Sequence, residues 1–130
     1  MVLLDSHVAI WLAVTPERLS RAAKKAIAER ESQASSLAIS VMSLYEIARA
    51  IHRGRIEALT TLETFLRTLE TVVVTKPLTD HIAVTAAQFP DTFPSDPFDR
   101  IIAATALVEG IPLITADERI RKSGVVQTIW

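Results

Sequence analysis

Asp96-Pro97-Phe98-Asp99-Arg100-Ile101-Ile102-Ala103-Ala104-Thr105-Ala106-Leu107, and after it Glu109-Gly110-Ile111-Pro112-Leu113-Ile114-Thr115-Ala116-Asp117, is the stretch on which the fold turns. Apolar residues from Phe98 to Leu107 recur at helical spacing. Asp96 is placed to cap that helix, Pro97 stands where a missing amide proton costs nothing, and Gly110 is placed to stop it. The pattern predicts helix, tight turn, strand. A turn that short sends the strand Ile111 to Ile114 back antiparallel to the helix. At ~1.5 Å per helical residue and ~3.3 Å per strand residue the two arms are of similar length, roughly 15 to 20 Å. The strand therefore ends beside the helix start, which brings Asp99 and Asp117 together.

Before this stretch the chain alternates strands and helices. Val2-Leu3-Leu4 is a short, wholly apolar strand ending at Asp5, and Ser6 to Val14 reads as a helix capped by Asp5 or Ser6 and broken by Pro16. Ser20 to Arg30 is an Ala-rich amphipathic helix, and Ser32 to Ser36 a polar loop. Leu37 to Val41 gives a second strand, Ser43 to Ile51 a helix stopped by Gly54, and Leu59 to Leu69 another helix. Val72-Val73-Val74 reads as a third strand and Asp80 to Gln88 as a further helix. A Pro-containing loop, Phe89 to Ser95, leads into the opening stretch. After Asp117 a basic turn, Glu118 to Lys122, precedes Gly124 and a last strand, Val125 to Ile129. Continuously apolar strands alternating with helices predict an α/β fold, a mainly parallel sheet covered on both faces. Ligands of such sheets bind beyond the carboxyl ends of the strands.

At 130 residues the chain is predicted to form one domain, residues 1–130, with one core. Hydrophobic residues make up 49%, an excess that hints at a covered partner surface. The absence of cysteine excludes a disulfide framework and thiolate metal sites, and suits a reducing cytoplasm. A net charge of −1 gives no bulk signal for nucleic acid, so any such binding must use local patches. The apolar start, Met1 to Val14, lacks a basic leader and carries Asp5 and His7. No uncharged apolar stretch approaches the ~18 residues of a membrane span, so a soluble, cytoplasmic protein is expected.

Asp5 ends the first strand, Glu46 lies one turn into the helix after the second, Asp99 opens the helix of the quoted stretch, and Asp117 follows the fourth strand. All four map to one sheet edge. Each also has a plain structural role available: Asp5 and Asp117 as N-caps, Ser43-x-x-Glu46 as a capping box, Asp99 as a first-turn acid facing the helix dipole. Jointly, four carboxylates in one crevice repel one another unless a cation neutralises them. Oxygen ligands without Cys or clustered His favour Mg²⁺, with Mn²⁺ as a substitute, over Zn²⁺. Such ions activate water and neutralise the leaving oxygen in phosphodiester cleavage. Ser6 and Thr115 flank two of the acids and are candidates for holding water or a phosphate oxygen; a local turn or cap hydrogen bond is the alternative.

Leu4-Asp5-Ser6-His7, Ser43-Leu44-Tyr45-Glu46-Ile47, Asp96-Pro97-Phe98-Asp99-Arg100 and Thr115-Ala116-Asp117, with Ile102-Ala103-Ala104-Thr105-Ala106-Leu107 after the third, together resemble PIN-domain ribonucleases of the VapC toxin type across essentially the whole chain. The resemblance implies a three-layer α/β/α fold with a central, mainly parallel sheet. It implies a Mg²⁺-dependent endoribonuclease, a homodimer, and inhibition by a cognate VapB-type antitoxin. Asp5, Glu46, Asp99 and Asp117 match the family's metal-binding quartet and Thr115 its hydroxyl residue. Ser6 stands where Thr is common and Tyr45 where Trp is common, and both keep the relevant chemistry.

Among the remaining residues, Asp96 reads as a plain N-cap and His7 as a structural hydrogen-bonder. Arg119, Arg121 and Lys122 are candidates for RNA phosphates, and Arg49, His52, Arg53 and Arg55 a second basic group, equally explained as cations at a helix C-terminus. Trp11, Leu12 and the apolar helices near residues 37 to 51 are candidates for the antitoxin groove. The competing function is a non-catalytic interaction module whose acidic pocket receives an Arg or Lys; a thermal shift with divalent ions separates the two. An aspartyl-phosphate enzyme is disfavoured, because no second acid follows two residues after Asp5 and no P-loop occurs.

Overall fold

The computed structural model describes residues 1–33, 36–54 and 59–130. In order, they form β1 (Val2–Leu4), α1 (Ser6–Val14), a 3-10 turn (Pro16–Arg18), α2 (Arg21–Glu31), β2 (Leu37–Ser40), α3 (Val41–His52), α4 (Leu62–Val72), β3 (Val74–Lys76), α5 (Asp80–Ala87), α6 (Pro97–Glu109), β4 (Leu113–Ile114), α7 (Glu118–Ser123) and β5 (Thr128–Ile129). The strands make one sheet in the order β3-β2-β1-β4-β5, and all four pairings are parallel. Leu4 pairs with Ile39 on one side and Ile114 on the other, so β1 is the central strand. The chain winds outward from β1 to β3 and then crosses to β4, which makes the carboxyl ends of β1 and β4 the place where the winding reverses.

Because successive strand residues face opposite ways, the sheet divides the apolar interior in two. Val2, Leu4, Leu37, Ile39 and Ile114 pack against α1 to α4. Leu3, Ala38 and Leu113 face α5, α6 and Ile120 of α7. The expected three-layer α/β/α fold is thus observed, with two cores where one was expected. Ala103, Ala104 and Ala106 are fully buried on α6, and their small side chains let the helix backbone lie close to the sheet.

The quoted stretch folds as read. Asp96 caps α6, accepting from Phe98 N at 2.8 Å and Asp99 N at 3.3 Å. Gly110 ends the helix at φ +65°, a left-handed conformation that favours glycine. Elsewhere boundaries move. Asp5, not Ser6, caps α1. The cap of α3 is Ser40, whose hydroxyl accepts from Met42 N, so the Ser43-x-x-Glu46 capping box does not exist and the second strand stops one residue early. Val72 is exposed and closes α4: the apolar stripe of Phe65, Leu66 and Leu69 carries the helix through a β-branched pair, and the third strand begins only at Val74. The basic turn after Asp117 is a helix, α7, and the fourth and fifth strands keep only two paired residues each. Among the described residues no helix is long and apolar enough to cross a membrane.

Candidate functional site

Asp5 lies one residue beyond β1 and is almost completely buried, 3% exposed. Its backbone N donates to Ile114 O at 3.0 Å, which fixes it against the end of β4. One carboxylate oxygen, Oδ1, accepts from Ser6 N at 2.8 Å; the other, Oδ2, accepts from Thr115 Oγ1 at 2.7 Å. The buried Thr115 hydroxyl in turn accepts from Asp117 N at 3.1 Å. Residues at the ends of two adjacent parallel strands are therefore tied together by a single hydroxyl.

Ser6 makes the second link. Its Oγ is 2.7 Å from Glu46 Oε1 and 2.8 Å from Ser43 Oγ. A hydroxyl has one proton to give; an ionised carboxylate can only accept, so Ser6 donates to Glu46 and its oxygen takes the Ser43 proton. Glu46 is half-buried and its pKa is raised, mainly by that burial; the Ser6 hydrogen bond and Arg49 pull it down, while Asp5 and Asp96 push it up.

Asp99, in the first turn of α6, is the most perturbed group. Burial, and then the charges of Asp5, Asp96, Asp117 and Glu46, push its carboxyl up to about 7. Carboxylates from four separated parts of the chain thus share one negative field. Among the described residues no three His, Asp or Glu side chains are already drawn together into a closed metal-ligand group. Asp5 and Glu46 direct oxygens at Thr115 and Ser6, and Asp117 caps α7, accepting from Arg119 N at 2.8 Å and Ile120 N at 3.1 Å. The donor set is all oxygen, which fits a hard divalent cation, and the neighbouring acids concentrate negative charge at Asp99.

His7 is the structural hydrogen-bonder that was expected. Its Nε2 accepts from Ala116 N at 3.0 Å and so carries no proton; Nδ1 stands 3.6 Å from Asp5 Oδ2. It holds the turn that carries Asp117. Of the basic candidates, Arg121 and Lys122 are exposed and border a shallow depression with Glu118 and Thr128, and Lys122 pairs with Glu118 at 3.7 Å. Arg119 touches Asp117 through its backbone only. The charge of Arg49 acts on Glu46, and Arg55 lies outside the described residues.

Two residues of the site escaped the sequence. Ser43, one turn before Glu46 on the same helix face, is fully buried beside Ser6. Arg100 donates to the carbonyls of Ala86, Phe89, Pro90, Phe93 and Pro94 at 3.0–3.4 Å, strapping the loop before α6 to that helix. Its charge is turned to the C-terminal end of α5. The only sequence signal for either was position: a small hydroxyl three residues before an acid, and an arginine following a proline-containing loop.

An open groove of about 1060 Å³ lies between α1 and α4, lined by Leu12, Val14, Leu37, Phe65, Leu69 and Val72 among others. Leu12 lines it, and of residues 37 to 51 Leu37 does among the described residues. Trp11 packs instead between His7, at 4.9 Å, and Trp130, at 5.8 Å between ring centroids.

The PIN domain family model matches residues 2–125. Ribonuclease VapC22 of Mycobacterium tuberculosis (strain ATCC 25618 / H37Rv) is 42% identical over 120 residues, 92% of this chain and 89% of that protein. In fold, the chain is similar to VapBC2 from Rickettsia felis bound to a DNA fragment from their promoter (TM-score 0.73, 12% identity, 98% of this chain and 97% of the other). It is likewise similar to VapBC-1 from nontypeable Haemophilus influenzae (TM-score 0.71, 21% identity, 98% and 96%). A family match over nearly the full sequence and a VapC relative at this identity leave one assignment: the chain belongs to the PIN domain family, as a VapC-type member.

Proposed function

We propose that this protein is a Mg²⁺-dependent endoribonuclease, the toxin of a VapBC-type pair, acting in the cytoplasm. Asp5, Glu46, Asp99 and Asp117 would hold the ion. A hard divalent ion, Mg²⁺ or its substitute Mn²⁺, supplies when bound a Lewis acid that lowers the pKa of water and offsets charge building on a phosphate. The chain's own residues fix the frame. Thr115 and Ser6 orient Asp5 and Glu46, Asp96 shapes the turn that presents Asp99, and His7 holds the turn that presents Asp117. The observation that carries this reading is the Asp99 carboxyl, pushed to about 7 by burial and by four carboxylates around it, a site that calls for positive charge. The 42% identical relative is named a ribonuclease, which supports RNA as substrate.

The partners in this reading are RNA, a second copy of the chain and a VapB-type antitoxin. Solved neighbours of the same fold are VapBC complexes, and the open groove between α1 and α4, lined by Leu12, Phe65 and Leu69, has the apolar character that suits an amphipathic antitoxin segment. RNA cleavage with Mg²⁺ present is the direct test: Asp99→Asn is expected to lower the rate at least about a hundredfold without loss of fold, as is chelation of the metal. Cleavage by Asp99→Asn at the parent rate would defeat the proposal.

A further inference from the structure

Tyr45 is 56% exposed, beside the half-buried Glu46 that follows it on α3. It is not free-standing: its ring centroid lies 5.7 Å from that of Phe98, the planes tilted by 45°. Phe98 is half-buried and belongs to α6, so one face of Tyr45 is braced while the rest stays open to solvent. The pair bridges the two helices that carry Glu46 and Asp99, and each ring is the sequence neighbour of one of those acids. Arg49, also exposed, follows Tyr45 by four residues on α3 and therefore shares its face of the helix. A braced aromatic face, a cation one turn away and a negatively charged crevice beside both match the needs of a nucleotide whose phosphate enters the crevice and whose base is unstacked.

From this juxtaposition we infer that Tyr45 is a base-stacking platform, supported by Phe98, that receives a nucleobase adjoining the scissile phosphate while Arg49 contacts the backbone. The inference rests on the ribonuclease reading and deepens it: the substrate must be single-stranded where it is cut, since a paired base cannot lie on the ring. Every base has a π face, so the platform selects strandedness more than sequence.

The experiment compares Tyr45→Leu, Tyr45→Phe and the parent in an Asp99→Asn background, measuring binding of a fluorescent single-stranded ten-nucleotide RNA and of the same sequence in a duplex. Leucine keeps the apolar contact with Phe98 and removes the π face. Expected for Tyr45→Leu is a roughly five- to hundredfold loss of single-strand affinity, with Tyr45→Phe close to the parent and duplex binding weak for all three. RNA carrying 2-aminopurine next to the cut should be quenched by the parent and not by Tyr45→Leu. Single-strand affinity of Tyr45→Leu within twofold of the parent, with quenching retained, overturns the platform while leaving nuclease activity of the unsubstituted chain intact. So does a change in self-association, seen by light scattering, with RNA affinity unmoved, which assigns Tyr45 to a protein interface. A chain with intact acids that neither binds nor cuts any RNA brings down the ribonuclease reading itself, and the platform with it.

Discussion

Asp5 and Asp99 stand at the same sheet edge and are held in opposite ways. The Asp5 carboxylate is defined by donors: a backbone N–H on one oxygen, a buried hydroxyl on the other. The Asp99 carboxyl is defined by burial and by repulsion from four neighbouring acids. One acid belongs to the scaffold as much as to the site, whereas the other is stored at a cost that a cation would relieve. Changing each to its amide should therefore give the same result for catalysis and opposite results for stability.

The largest effect expected is on turnover: Asp5→Asn, like Asp99→Asn, should lower RNA cleavage at least about a hundredfold, read from initial rates. The stability contrast comes next. Asp5→Asn keeps one acceptor oxygen and must aim its amide at a Thr115 hydroxyl that already accepts from Asp117 N, so denaturant unfolding should show a loss of about 1–3 kcal/mol. Asp99→Asn in metal-free buffer at pH 8 should instead gain about 1–2 kcal/mol, the raised pKa being discounted for partial solvent screening. Equal signs for the two amides would erase the comparison.

The pH dependence sharpens it. A carboxyl raised in the fold above its usual value binds a proton more tightly folded than unfolded. In the metal-free protein its contribution is therefore favourable below the ordinary range near 3.8 and is lost as pH rises from there through about 7. Melting temperature should fall across that window for the parent and more shallowly for Asp99→Asn. Adding Mg²⁺ or Mn²⁺ at pH 8 should restore about 1.4 kcal/mol at tenfold over Kd, and little in Asp99→Asn. The smallest effect is that of Thr115→Val, about 1 kcal/mol by denaturant unfolding, since it removes the hydroxyl bond to the Asp5 carboxylate while Asp5 N stays bonded to Ile114 O and the strand pairing remains.

The architecture was legible where local chemistry and global packing agree. Asp96, Pro97 and Gly110 marked α6 because cap, first-turn and stop signals lie within the helix's own sequence. The four acids were placed at one edge because strand ends and helix starts follow each other directly in parallel α/β folds. Val72 was misplaced because a β-branched run looks like strand until the stripe of α4 is weighed against it. Ser43 was assigned to a cap because nothing before Glu46 revealed that Ser40 had already ended the strand. The direction in which each carboxylate points, and the five-carbonyl grip of Arg100, depend on contacts between distant segments, which spacing along one chain does not encode.

The Thr115–Asp5 bond joins residues separated by 110 positions. A ribosome that has delivered β1, β2 and β3 has still produced no complete corner, because β4, which closes it, follows α5 and α6. Such distant closure is slow to form and is among the late events of folding. A chain stopped before β4 therefore lacks the corner on which Asp5 and Thr115 meet.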